Sequence, residues 1–155
     1  MIQTRILFVC HGNICRSVAA EMILRKEIED AELHNKVCVA SAAATTEEIG
    51  NDIYPPMKRT LMAHGVPCLP HRARQMKRAD YEQYDLLIGM DDENIQDMLE
   101  ICHGDPKKKM HLLMEYAGLA GREVSDPWYT RNVERAYEDI LQGCQGLLAI
   151  VVREV

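Results

Sequence analysis

Apolar and polar positions alternate along the chain in blocks that switch between the period of a strand and the period of a helix. Residues 5–9 form a short apolar run that stops at a glycine-containing turn, the pattern of a buried strand. Residues 17–28 place Val18, Met22 and Ile28 near one face among good helix formers, which predicts a helix. The β-branched stretch 36–40 predicts a second strand. A long loop is expected over 42–54, and Pro55-Pro56 then opens a helix through His64 with Gly65 as its C-terminal cap. Residues 66–76 read as irregular and 77–84 as a short helix. Residues 85–90 read as a strand, followed by a helix through Ile101 capped by Asp91 and Asp92. Gly104-Asp105-Pro106 is a turn, 110–114 a fourth strand and 117–129 a polar loop. Thr130 is expected to cap a long amphipathic helix carrying Val133, Ala136, Tyr137, Ile140, Leu141, Leu147 and Leu148. Strands alternating with helices indicate an α/β fold with a parallel sheet covered on both faces.

The 155 residues suit one domain, 1–155, with no internal repeat or linker. A hydrophobic fraction of 47% with 27% charged residues excludes disorder and low complexity. The net charge of −6 argues against nucleic-acid binding, which needs surplus basic residues against phosphates. No apolar run approaches the ~20 residues of a membrane helix, and no signal peptide is read at the start. The six cysteines show neither CxxC spacing nor a zinc pattern, so reduced thiols in a cytoplasmic setting are expected. The scattered histidines form no metal-ligand motif, and neither a metal nor a cofactor is expected.

The chemistry gathers at residues 10–17, Cys-His-Gly-Asn-Ile-Cys-Arg-Ser, between the first strand and the first helix. In doubly wound folds anions bind here, where the sheet's carboxyl edge meets a helix N-terminus. Five residues separate Cys10 from Arg16. A curled loop would aim the backbone N–H groups of 11–16 at one centre, with Arg16 closing it through two parallel hydrogen bonds. Such a loop also favours a thiolate, so Cys10 beneath the phosphorus is the candidate nucleophile. Ser17 is placed to donate to that thiolate and help it leave in a second step. Walker A and GxGxxG patterns are absent. A leaving alcohol or phenol needs an acid, and Asp126-Pro127 lies in the late polar loop. Two readings stand for it: a general acid walled by Trp128 and Tyr129, or an ordinary turn followed by two buried aromatic residues.

Five pieces in order make the chain resemble the low-molecular-weight protein tyrosine phosphatases over nearly its whole length. They are Val9 through Ser17, Ser41-Ala42, His71-Arg72-Ala73-Arg74-Gln75, Met90-Asp91-Asp92-Glu93-Asn94 and Asp126-Pro127-Trp128-Tyr129. The resemblance implies a three-layer α/β/α fold with a four-stranded parallel twisted sheet. It implies metal-free hydrolysis of phosphotyrosine and aryl phosphate monoesters through a phosphocysteine on Cys10. Arg16 and the loop residues His11, Gly12, Asn13, Ile14, Cys15 and Ser17 would hold the phosphate, and Asp126 would act as acid and then base. Asn13 would keep the loop in shape with Ser41 and His71 as partners. Cys15 would form a reversible disulfide with Cys10, against the plainer reading of a buried loop thiol. Glu47 stands where many relatives carry a bulky aromatic, and with Glu48 it would repel acidic peptides. The implied partners are phosphotyrosine-containing proteins, with the enzyme a monomer or weak dimer.

Rival readings remain at this point. A thioredoxin-coupled arsenate reductase of the same fold needs a relay cysteine pair, and residues 69–101 contain none. A phosphatase for small phosphorylated metabolites or phosphoarginine would share the same reaction centre. The basic cluster Arg72, Arg74, Lys77 and Arg78 is either a steering patch or a solvated face.

Overall fold

The computed structural model describes residues 3–153. Four parallel strands form one sheet in the order β2-β1-β3-β4, with β1 at Thr4–Cys10, β2 at Val37–Ala43, β3 at Leu86–Gly89 and β4 at Met110–Leu112. Strand β1 is central because it is apolar on both sides. Ile6 and Phe8 enter one core, Leu7 and Val9 the other, and all four are fully buried. The first core packs under α1 (Arg16–Asp30), α2 (Pro55–Ala63) and α6 (Val133–Arg153). The second packs against α3 (Asp80–Gln83) and α4 (Asp92–Cys102), with Met98, Cys102 and Tyr81 closing over it. The expected three-layer α/β/α fold with a four-stranded parallel sheet is therefore what the chain adopts.

Three local readings differ. The fourth strand ends at Leu112, and Leu113–Ala117 turn into a 3-10 helix. Leu113 and Met114 are fully buried, and an apolar pair reads alike in a strand and in a buried turn. Part of the expected polar loop is a short helix, α5 (Pro127–Thr130), begun by Asp126 as its cap and Pro127 in its first position. Thr130 belongs to that helix, and Arg131 follows at φ +56. The cap of α6 is Asn132 instead, whose Oδ1 accepts the Arg135 N–H at 3.1 Å.

Two features position the site. The sheet order reverses direction between β1 and β3, so the crevice beyond their carboxyl ends is open to a ligand. The irregular segment 71–76 is drawn beside the end of β2 by two 2.7 Å bonds, Ala43 N–H to the Arg74 carbonyl and Met76 N–H to the Ala43 carbonyl. That pairing delivers His71 and Arg74 to the loop that follows β1.

Candidate active site

The loop after β1 is held from outside by its carbonyls. Those of Cys10, His11 and Ile14 accept backbone N–H groups from Ala44, Thr45 and Tyr54 at 2.8, 3.1 and 2.7 Å. The Asn13 carbonyl accepts His71 Nε2–H at 2.7 Å. In a planar trans peptide the N–H points opposite the carbonyl. Outward carbonyls at 10, 11, 13 and 14 therefore turn the N–H groups of His11, Gly12, Ile14 and Cys15 inward, an anion nest. Residue Asn13 sits at φ +60 in the left-handed region and is fully buried. An asparagine suits that conformation because its short amide bonds locally. Its Oδ1 accepts the Arg74 backbone N–H at 3.3 Å, and its Nδ2 donates to Ser17 Oγ at 2.8 Å.

Ser41 does not take the part that the family resemblance implied. Its hydroxyl donates to Glu21 Oε1 on α1 at 2.5 Å, and Asn13 is satisfied by Ser17, Arg74 and His71. Glu21 lies within reach of Ser41 because α1 packs along β2, and it also pairs with Arg25.

Cys10 Sγ lies 3.0 Å from Ser17 Oγ and accepts the Ser17 backbone N–H at 3.4 Å. Since Ser17 Oγ already accepts from Asn13, its own proton is free to point at the sulfur. Arg16 is 3% exposed. Its Nη1 donates to the Val124 carbonyl at 3.1 Å, and its Nη2 lies 2.9 Å from Asp91 Oδ2 and 3.3 Å from Asp126 Oδ2. Burial works against the guanidinium charge, yet the neighbouring Cys10, Asp126 and Asp91 hold its pKa above the ordinary value. Asp126 bridges two roles, its Oδ1 accepting the Trp128 N–H at 3.0 Å and its Oδ2 meeting Arg16. The thiol of Cys15 is pushed up to about 12, first by burial and then by the charge of Cys10.

Cys10, Cys15, Arg16, Asp91, Val124 and Asp126 line one cavity of about 870 Å3. Trp128 and Tyr129 stand at its mouth, 81% and 79% exposed, which removes the reading of two buried aromatics. Glu47 is paired with His11, and Glu48 lies beside Gly12 on the same wall. The structure brings Cys10, His11, Gly12, Ile14, Cys15, Arg16, Glu47, Asp126, Trp128 and Tyr129 to this cavity. Asn13, Ser17 and His71 stand behind the loop. Sequence reading missed Asp91 and the Val124 carbonyl as partners of Arg16. Asp91 had a signal as a helix cap, but nothing local points its second oxygen at Arg16. All six cysteines are free thiols. Among the described residues no helix is long and apolar enough to cross a membrane, and no group of three His, Cys, Asp or Glu could hold a metal ion.

Residues 5–155 match the family model described as low molecular weight phosphotyrosine protein phosphatase. A phosphatase of that description from Gallus gallus is 36% identical over 150 residues, 92% of each chain. The crystal structure of YfkJ from Bacillus subtilis superposes with a TM-score of 0.95 at 32% identity, covering 99% of this chain and 98% of that one. A drosophila arginine phosphatase superposes with a TM-score of 0.82 at 28% identity, covering 93% and 95%.

Proposed function

The chain belongs to the low molecular weight phosphotyrosine protein phosphatase family, and on that premise we propose that it hydrolyses phosphotyrosine in proteins through Cys10, Arg16 and Asp126. The observation that carries the assignment of residues is the meeting of Cys10 Sγ, the Arg16 guanidinium and the Asp126 carboxyl around one nest of inward N–H groups.

The Cys10 thiolate attacks phosphorus, the bond to the phenolic oxygen breaks, and Asp126 delivers its proton to that oxygen. Charge on the equatorial oxygens is met by the Arg16 fork and the backbone N–H groups of 11–16, fixed before the reaction begins. Water then attacks the phosphocysteine, Asp126 takes its proton, and the S–P bond breaks with the Ser17 hydroxyl donating to the departing sulfur. Trp128 and Tyr129 flank the ring of the substrate, and Glu47 forms the opposing wall. Cys15 stands beside Cys10 as the thiol that would close a protective disulfide. Residues 1–155 act as one catalytic domain, a monomer or weak dimer, and six free thiols support a cytoplasmic location.

The test is hydrolysis of para-nitrophenyl phosphate at mildly acidic pH in EDTA. Activity that vanishes in Cys10→Ser supports the assignment, and activity retained in that variant overturns it. A second reading, phosphoarginine as substrate, is favoured by the acidic Glu47–Glu48 wall and by the likeness to the drosophila arginine phosphatase. Comparing kcat/KM on phosphotyrosine and phosphoarginine peptides separates the two.

A further inference from the structure

The segment leading into α2 brings a large aromatic side chain to the cavity besides Trp128 and Tyr129. Tyr54 lines the same space as those two but comes from a different part of the chain. Its backbone N–H donates to the Ile14 carbonyl at 2.7 Å, so the residue sits one hydrogen bond from the phosphate loop. Ile14 also lines the cavity, and its own N–H is among those turned inward. Tyr54 therefore stands beside the nest, within the cavity that receives the esterified group.

The backbone here is fixed on both sides. Ile53 is buried and Met57 fully so, which anchors the chain in the core before and after Tyr54. Asp52 Oδ1 accepts the Ile53 N–H at 2.7 Å, and Asp52 Oδ2 meets Lys58 Nζ at 3.0 Å, a clasp across the turn. The Tyr54 carbonyl accepts the Lys58 N–H at 3.0 Å as α2 begins. Pro55 restricts the residue before it to extended backbone, and Tyr54 sits at ψ +122. On this ordered backbone the side chain is unengaged. Among the described residues nothing bonds its hydroxyl or stacks on its ring, and it is 38% exposed. An open aromatic on a well-anchored stretch of cavity wall is contact area whose backbone is ordered before any ligand arrives.

We propose that Tyr54 is a specificity-determining residue whose ring packs against the aromatic ring of the substrate. This rests on the phosphotyrosine reading above and deepens it. The substrate ring is then met from two parts of the chain, by Tyr54 before α2 and by Trp128 with Tyr129 on α5. Aromatic rings prefer offset-stacked or edge-to-face contact with one another, which an alkyl phosphate cannot make. Glu47 lies on the same stretch of chain, is paired with His11 and offers no ring, so discrimination on this side falls to Tyr54. The Tyr54 hydroxyl takes no part in it.

The test compares two ligands with the same headgroup, benzylphosphonate and methylphosphonate, whose Kd values are measured by nuclear magnetic resonance titration of the whole chain. Their ratio within one protein isolates the ring, so a general change in the phosphate loop cancels. The wild type should hold benzylphosphonate more tightly than methylphosphonate. Tyr54→Ala should reduce that advantage by about three- to tenfold, the range one aromatic pair supplies, with the Kd of methylphosphonate unchanged. Tyr54→Phe should keep the whole advantage. An advantage that survives Tyr54→Ala, or that Tyr54→Phe loses as fully, overturns the role of the Tyr54 ring and leaves the phosphotyrosine reading to Trp128 and Tyr129. Both ligands weakening equally in Tyr54→Ala assigns the residue to support of the loop and overturns the proposal as well. Wild-type protein that gains nothing from the benzyl ring overturns the phosphotyrosine reading and the proposal with it.

Discussion

Asp91 Oδ2 lies 2.9 Å from Arg16 Nη2, closer than the 3.3 Å that separates the same nitrogen from Asp126. The other oxygen of Asp91 accepts the Asn94 N–H at 2.8 Å and caps α4. One side chain therefore ties the phosphate-binding cation to the start of a helix on the opposite layer. Asp91→Asn keeps an acceptor for the cap and removes the charge that holds the guanidinium. The expected result is a fall in kcat of about tenfold, since the fork loses its register in the transition state. KM should not rise, because a carboxylate that opposes an incoming dianion has gone. A rise in KM at unchanged kcat would assign Asp91 to ground-state binding instead.

Asp126 meets Arg16 and the Trp128 N–H together, so its carboxyl is fixed at the cavity wall. Asp126→Asn should slow phenyl phosphate about a hundredfold more than para-nitrophenyl phosphate, because only the poorer leaving group needs a proton as its bond breaks. Equal slowing of both would remove Asp126 from the acid role.

Cys15 carries a thiol raised to about 12 by burial and by the neighbouring Cys10. In the unfolded chain it ionises near pH 8.5 to 9. Below that both states hold the proton and stability is unaffected. Above it the unfolded state releases the proton first, so the folded state loses stability as pH rises, by up to about 1.4 kcal/mol per pH unit. Urea unfolding between pH 8 and pH 10 should show this loss, and Cys15→Ser should reduce it. Burial of the Cys15 thiol slows disulfide formation with an oxidised Cys10, and the rate should climb as pH rises. A rate flat across pH 6 to 9, followed by mass mapping after peroxide, would contradict that.

Gly146 lets α6 close onto the 3-10 turn. A Cβ at this position would lie 1.8 Å from the Tyr116 carbonyl oxygen, a backbone atom that cannot turn aside. Gly146→Ala should therefore destabilise the fold by about 2–3 kcal/mol. At Gly143 the nearest atom is Leu113 Cγ at 2.6 Å, a side-chain atom able to shift, and Gly143→Ala should cost less. Thermal unfolding of the two variants compares them directly.

The legible parts of the sequence were those whose cause is local. The run 5–9 reads as a strand because its residues are buried on both sheet faces, and Cys10 to Ser17 names its chemistry through spacing alone. The fourth strand reads as 110–114, two residues past its end at Leu112, because Leu113 and Met114 are as apolar as strand residues while following a 3-10 path. Thr130 and Asn132 are both good caps, and the positive φ of Arg131 decides between them. The partners of Asn13 were harder. Arg74 reaches it only because Ala43 pairs with 74–76, a contact across some thirty residues. Arg122 meets Asp139 of α6 across the late loop, and no spacing in the sequence announces that meeting.

Arg16 is already buried, and its guanidinium already bridges the Val124 carbonyl and Asp91 before any ligand arrives. A free arginine side chain gives up about 2 kcal/mol of rotamer entropy when it is ordered. Here that loss falls on the folding reaction. Affinity for phosphate and stability of the native chain are thereby coupled: substitutions that shift the Val124 carbonyl return the disorder to the binding step, and the enzyme weakens toward its substrate with the Arg16 side chain itself unchanged.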